Sequence, residues 1–309
     1  MLPVCVKGWR LAANAFSGER KGYRRKQQYK IFLYSFMSPL FAKKWFKTLY
    51  SSEYNHIVVH RPRLYVKPFR VYMSSKWDKH YKMKVILDTY RFLTTLGNSF
   101  IQVIAEKDGI PVVHFKLQDG SAASVVLGYD ERYRKEGELV LFFVCEQLGG
   151  VVAAASFSFE HSDSNQWICR IGCVQGHKSG DENIAKAAQR LIYGMRPKSF
   201  MIFLVREFAR QLGIEAIYGA GQPIQAFRRK HLIHIPMLHT INQNYNDLWK
   251  ESGGTLEKDG WFALPLMPKR KALEEIKSHK RATYKRRYEM MDAVSAEISG
   301  RIRHIVSVA

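Results

Sequence analysis

Cysteine is scarce in this chain of 309 residues, which contains four: Cys5, Cys145, Cys169 and Cys173. A disulfide framework in a chain of this length is normally denser and more regularly spaced, so reduced thiols are the simpler interpretation. Cys169 and Cys173 also lack the two-residue gap of a zinc knuckle. Because free cysteine behaves as a small buried hydrophobic residue, we expect both to be structural.

Long apolar runs are missing as well. The best candidate, residues 31–42, is bounded by Lys30 and Lys43 and broken by Pro39, whereas a spanning helix needs about 20 apolar residues. Residues 11–16, LAANAF, are too short and too polar to be the centre of a secretory signal. These absences predict a cytoplasmic protein that can lie on the inner membrane but cannot cross it.

Acidic residues are few, with 27 Asp and Glu against 49 Lys and Arg, and the deficit is uneven. Residues 1–84 carry 19 basic and 3 acidic side chains, residues 85–267 carry 19 of each, and residues 268–309 carry 11 and 5. This distribution predicts a neutral core at 85–267 between a basic N-terminal segment and a basic C-terminal segment. A net charge of +22 predicts an anionic partner, because self-repulsion would otherwise be costly.

Aromatic and basic residues alternate in residues 23–50, a pattern that fits short helices. Three interpretations remain open: the aromatic rings dock on the core, they anchor the chain at an anionic inner-membrane surface, or the stretch contacts RNA. In the membrane interpretation, four aromatic side chains insert into the bilayer: Phe32, Phe36, Trp45 and Phe46. Three lysines contact the lipid headgroups: Lys43, Lys44 and Lys47.

Period-two runs and turn residues dominate the middle of the chain and predict an antiparallel meander. Strands are expected at residues 99–104, 112–117, 122–127, 138–146, 151–159, 166–175, 214–220 and 260–264. Helices are expected at 182–193, 198–212, 242–252 and, as a basic amphipathic helix, within 269–298. The strand at 214–220 returns after a helix and is expected to be parallel. The class is therefore mixed α/β with a mainly antiparallel sheet.

Five runs in the second half of the chain form a distinctive set: residues 171–176 (IGCVQG), 196–200 (RPKSF), 206–221 (REFARQLGIEAIYGAG), 231–236 (HLIHIP) and 259–265 (DGWFALP). Together they resemble the VirK/YbjX family of Gram-negative bacteria. The resemblance covers most of the chain from about residue 74 onward. It implies a cytoplasmic protein that supports virulence, outer-membrane homeostasis and tolerance of antimicrobial peptides, and it supplies no catalytic residues.

The order of elements also resembles the GNAT acyltransferase superfamily. That resemblance implies acyl-CoA as a cofactor, held by backbone N–H groups of a loop that leads into a helix. The superfamily's loop begins with Arg or Gln and has glycines at its fourth and sixth positions. Here Lys178 replaces the first of these glycines, and the cofactor-binding residues implied are Gln175, Gly176, His177, Lys178, Ser179 and Gly180.

The resemblance does not fix catalytic residues. Trp249 stands where the superfamily often has a proton-donating tyrosine, and an indole is a poor proton donor in that role. A general base needs reach and a suitable pKa, and Glu146, Glu160 and Tyr245 are the candidates. No metal is expected, because three histidines lack a nearby acidic or cysteine partner; they are His231, His234 and His239.

Two functions from different classes are consistent with these patterns. One is a GNAT-like acyl-CoA-dependent transferase, which the loop between strand and helix favours. The other is a non-enzymatic regulator or scaffold that binds RNA or the anionic inner-membrane surface through its basic segments, which the charge distribution favours.

Overall fold

Five helices form the first 95 residues in a computed structural model, which describes residues 2–97, 100, 103, 109–177, 181–226 and 244–307. They are α1 (Leu2–Ala15), α2 (Lys21–Met37), α3 (Pro39–Leu49), α4 (Asn55–His60) and α5 (Lys79–Thr95). A 3₁₀ segment, Pro62–Phe69, lies between α4 and α5 and packs against α1 to α5. The N-terminal helices α1 to α3 pack mainly on one another and on this segment.

The middle of the chain forms one sheet in the order β1-β2-β3-β4-β5-β6-β8-β7. Strands β5 and β6 are parallel, and the other neighbouring pairs are antiparallel. The strands are β1 (Ile110–Lys116), β2 (Ala122–Gly128), β3 (Leu139–Cys145), β4 (Gly150–His161), β5 (Trp167–Gly176), β6 (Ala216–Ala220), β7 (Thr255–Leu256) and β8 (Trp261–Leu264).

Four further helices with described bounds follow β5 in the chain. They are α6 (Glu182–Leu191) and α7 (Pro197–Gln211), between β5 and β6, then α8 (Tyr245–Glu251), and the C-terminal α9 (Ser278–Ser307). Helix α9 packs on β1 and α7 and buries Val294 and Ile298. Its Arg287 guanidinium donates two hydrogen bonds, of 2.9 and 2.7 Å, to the Tyr193 carbonyl after α6.

The two faces of the sheet contact different parts of the chain, because adjacent residues of a strand point in opposite directions. On β4, Phe157 lies against Phe208 of α7, with ring centroids 6.0 Å apart. The next residue, Ser158, hydrogen-bonds the Tyr72 hydroxyl at 2.7 Å on the other face. The buried hydrophobic residues form one cluster that extends from Leu11 to Ile305.

The predicted class, a mixed α/β fold with a mainly antiparallel sheet and basic helical segments at both ends, is confirmed. The strand predicted at 99–104 is wrong at the two described residues, because Phe100 and Val103 are helical. The division into 1–84, 85–267 and 268–309 stays a prediction; its first boundary falls inside α5.

Candidate functional site

Strands β5 and β6 pair in parallel over a short stretch and then separate. Their ladder ends at Ile171 and Gly219, whereas β5 continues to Gly176. We call this point the fork. In open α/β sheets, ligands commonly bind in a crevice outside the carboxyl ends of the parallel strands. The fork therefore identifies the region of the sheet to search for a site.

Glycines at the fork allow other segments to approach the strands closely. A Cβ atom on Gly172 would lie 1.9 Å from the Glu136 carbonyl oxygen, and one on Gly219 would lie 2.6 Å from the Trp249 indole. The β4–β5 ladder also shifts register here, between Ser156 and Phe157, and such a bulge re-aims side chains next to it. Only glycine fits at these two positions.

Two side chains of α8 fill the space between the separated strands. The Tyr245 hydroxyl donates to the Val174 carbonyl at 3.0 Å, and the Trp249 indole N–H donates to the Ala220 carbonyl at 2.9 Å. Both side chains are buried, and burial raises the pKa of Tyr245 well above its ordinary value. This packing leaves the open space beyond the end of β5 rather than between the strands.

A cleft of about 500 Å³ lies at that end, a volume typical of ligand sites. We call it the β5 cleft. Its walls are the start of β4, the end of β5, one side of α6, the first residues of α7, and α8. Lining residues that bear charge or polarity include His177, Lys186, Arg196, Lys198, Asp247 and Glu251.

The cations of the β5 cleft stand beside carboxylates or the backbone. Arg196 forms an ion pair with Glu251, and Lys186 lies 3.2 Å from Glu182. The Cε atom of Lys198 would be 3.8 Å from a Cβ on Gly176, at the end of β5. Burial, and then the charge of Arg196, lower the pKa of Lys198.

The N-terminus of α7 opens onto the β5 cleft. Arg196 is its N-cap and provides no side-chain cap, and Pro197 occupies the first turn. A helix of this length presents partial positive charge at its start, which favours an anionic ligand. Together with Lys198, this end of the cleft is suited to phosphate or carboxylate.

The predicted cofactor-binding residues fall partly at this cleft. Gly176 and His177 line it, and the Gln175 amide lies 3.8 Å from the Cys173 sulfur. Lys178, Ser179 and Gly180 lie outside the described residues. The role of all six in cofactor binding stays a prediction.

The three predicted catalytic candidates are not brought together. Glu146 is exposed beyond the end of β3. Glu160 is buried near the other end of β4, where it accepts hydrogen bonds from Tyr81 and, at 2.8 Å, from Arg170. It pairs with Ile168, about 25 Å along β5 from Gly176 at the usual rise of a strand. The Tyr245 hydroxyl is already engaged with the Val174 carbonyl.

Glu136 is the carboxylate that the sequence did not single out. Its backbone crosses Gly172 at the fork, its side chain is buried, and its Oε2 atom has no hydrogen-bond partner. Burial raises its pKa, while Lys135 and Arg134 act in the opposite direction. A buried carboxylate with a raised pKa at the fork, about 13 Å along β5 from Gly176, is a candidate acid–base group.

Within the described residues, no group of three or more His, Cys, Asp or Glu side chains could hold a metal ion. The three histidines weighed as metal ligands, His231, His234 and His239, lie outside those residues. Cys169 and Cys173 are buried free thiols whose pKa burial raises, as expected of structural cysteines. Among the described helices, none is both long and apolar enough to cross a membrane.

The sequence matches, over residues 20–300, the family described as "Protein of unknown function (DUF535)". The chain belongs to the DUF535 family. A relative within it is YbjX of Escherichia coli strain K12, 24% identical over 284 residues, or 91% of this chain and 85% of YbjX. A protein of Haemophilus influenzae is 32% identical over 129 residues, 41% of this chain and 42% of the relative. The VirK/YbjX resemblance is therefore confirmed.

Among solved structures, this DUF535 chain is similar to a cAMP-binding acyltransferase from Mycobacterium smegmatis. The TM-score is 0.33 at 10% identity, and a variant of that protein gives 0.34 at 13%. In both, 74% of this chain aligns and spans 61% of the acyltransferase chain. These TM-scores are too low to indicate a shared fold.

Proposed function

We propose that this DUF535 protein is an acyl-CoA-dependent transferase that binds its acyl donor in the β5 cleft. The observation that carries the proposal is the fork, where a parallel pair separates after Ile171 and Gly219 and β5 continues into a cleft. A crevice outside the carboxyl ends of parallel strands is a common ligand position. The order of elements resembles that of the GNAT superfamily, and this resemblance implies acyl-CoA binding at the same site.

The diphosphate of the donor is assigned to the end of the β5 cleft beside α7. Lys198 and the uncapped start of α7 supply positive charge there, and phosphate binds readily to helix N-termini. Since Tyr245 and Trp249 fill the space between the strands, the donor approaches along the outside of β5.

Glu136 is assigned the proton transfer. Gly172, over which Glu136 lies, is about 13 Å along β5 from Gly176, a span that the pantetheine arm of CoA can cover. In the proposed step an acceptor amine or hydroxyl attacks the thioester carbonyl, the C–S bond breaks, and CoA leaves as its thiolate. The acceptor's proton passes to Glu136, which burial makes a stronger base than an exposed carboxylate.

Isothermal titration calorimetry tests the donor site. We expect heat on adding acetyl-CoA or longer acyl-CoA species, at protein concentrations able to detect a Kd of about 100 μM. Lys198→Glu should weaken binding at least about tenfold, or 1.4 kcal/mol. Lys116→Glu, an exposed charge change on edge strand β1, is the matched control. No heat with any species would overturn the proposal and favour the non-enzymatic scaffold.

The cellular roles implied by the family resemblance belong to this proposal as well: virulence, outer-membrane homeostasis and tolerance of antimicrobial peptides, exerted from the cytoplasm. An acyl transfer that modifies an envelope component would link them. In a strain that lacks the protein, the unmodified chain should restore tolerance of a cationic peptide and Lys198→Glu should not. Equal restoration by both would separate these roles from the β5 cleft.

A further inference from the structure

Helix α2 turns apolar side chains toward solvent along one face. The buried residues of α2 are Gln27, Gln28, Ile31 and Ser35. The residues on the opposite side recur every three or four positions, as expected for one face of a helix. The apolar residues on that outward side, continued by the first turn of α3, are Tyr29, Leu33, Phe36, Met37 and Leu40, which are between 53% and 84% exposed. We call this set the α2 ridge. Exposed apolar side chains grouped along one helix face are typical of an interaction site.

Positive charge lies at both ends of the α2 ridge. Arg25 and Lys26 are exposed one turn before Tyr29. Beyond Leu40, the outward face of α3 continues with exposed Lys43, Lys44 and Lys47. Residues 20–52 contain nine Lys and Arg and no Asp or Glu. The ridge is therefore an apolar strip between two groups of cations, with no carboxylate in its own segment.

We propose that the α2 ridge docks this protein on an anionic lipid bilayer. Leu33, Phe36, Met37 and Leu40 enter the boundary between headgroups and acyl chains, and the flanking cations meet lipid phosphates. The flanking cations complement the negative charge of an anionic bilayer. The apolar side chains between them favour a bilayer over RNA as the partner. Single-stranded RNA would use aromatic rings for stacking, whereas the aliphatic residues Leu33, Met37 and Leu40 offer no such platform.

The structure also corrects which residues insert. Trp45 and Phe46, expected from the sequence to enter the membrane, are core residues with 0% and 1% exposure. Phe32 is half-buried, with its ring 6.4 Å from that of Trp9. Phe36 alone of the four expected residues belongs to the α2 ridge. The inserting set is therefore mainly aliphatic.

Vesicle co-sedimentation with the full chain tests this docking. We expect binding to vesicles of phosphatidylglycerol and phosphatidylethanolamine, little binding to phosphatidylcholine alone, and weaker binding as salt rises, because salt screens surface charge. A triple variant, Leu33→Gln, Phe36→Gln and Leu40→Gln, should bind at least about tenfold more weakly. A second triple variant, Lys43→Gln, Lys44→Gln and Lys47→Gln, should lose at least as much vesicle affinity.

The matched control removes three exposed cations from the other basic segment: Lys269→Gln, Lys271→Gln and Lys285→Gln. It has the same net charge as the second variant and should bind vesicles as the unmodified chain does. Circular dichroism checks that each variant is folded. Equal loss in the control, or unchanged binding in both ridge variants, would overturn the proposal. An RNA gel shift without sedimentation on anionic vesicles would overturn the proposal and indicate nucleic acid as the partner of the α2 ridge.

Discussion

At the scale of single residues, Glu136 shows how a site can be hidden in a sequence. It lies in a run, Arg134-Lys135-Glu136-Gly137, that is typical of an exposed turn. Its burial comes from the crossing over Gly172, thirty-six positions later in the chain. No local pattern predicts such a contact. The role of Lys198 is equally hidden in the sequence, because its position at the cleft depends on how α7 packs against the end of β5.

Glu136→Gln should raise the thermal stability of the protein at neutral pH. Below the ordinary carboxyl pKa of 4.5, Glu136 is protonated in both the folded and the unfolded chain. As pH rises above that value, the unfolded chain loses the proton first, so the free energy of unfolding falls until the raised folded pKa is passed. Gln imitates the neutral form and removes this loss.

We expect Tm at pH 7 to rise by about 2–4 °C, which corresponds to about 1 kcal/mol, and the gain to disappear near pH 4. Differential scanning calorimetry over this pH range measures it. Glu146→Gln, at an exposed position, is the control and should change Tm little. A lower Tm at pH 7 for Glu136→Gln would show that the ionised carboxylate is stabilised in the folded protein.

At the scale of elements, the strands were largely predictable and the cleft was not. Runs of apolar residues and the Gly149-Gly150 pair, with φ of 83° and 94°, indicate β3, β4 and their turn. Pro197 and Gly213 correctly bracket α7. The β5 cleft combines five elements separated by up to a hundred residues, so its lining depends on tertiary packing rather than on periodicity.

Arg287→Ala should loosen the docking of α9. The variant loses both hydrogen bonds to the Tyr193 carbonyl, in a turn where Tyr193 takes a left-handed φ of 52°. Hydrogen bonds from a charged donor contribute about 1.5–3 kcal/mol, so the urea midpoint should fall accordingly. Arg286→Ala removes an exposed neighbouring charge and should have little effect. Equal losses in both variants would point to general charge rather than to this contact.

At the scale of the whole molecule, the N-terminal segment is both the most basic part and a packed part. The Trp45 indole N–H donates to the Tyr65 carbonyl at 3.2 Å. The Phe41 ring lies 5.2 Å from that of Phe69 and 4.9 Å from that of His80 on α5. The change in charge predicts that residues 1–50 are separable from the folding of the core, whereas these contacts tie α3, which lies within residues 1–50, to the 3₁₀ segment and to α5.

Deletion of residues 2–50 tests whether these residues fold separately from the rest of the protein or belong to its packed core. We expect Tm to fall by more than about 5 °C, because the apolar surface around Tyr65 and Phe69 would become exposed to water. The full chain carrying Lys43→Gln, Lys44→Gln and Lys47→Gln should keep its Tm, since those side chains are exposed. An unchanged Tm after deletion would establish the segment as an independent unit.

The packing of α9 on β1 has a consequence for biosynthesis. Strand β1 begins at Ile110, whereas α9 ends at Ser307, so the two partners emerge from the ribosome almost two hundred residues apart. Until α9 has been translated, the surfaces of β1 and α7 on which it packs are not covered by it. The nascent chain therefore carries this uncovered surface from the synthesis of β1 until α9 emerges, and transiently exposed apolar surface promotes aggregation.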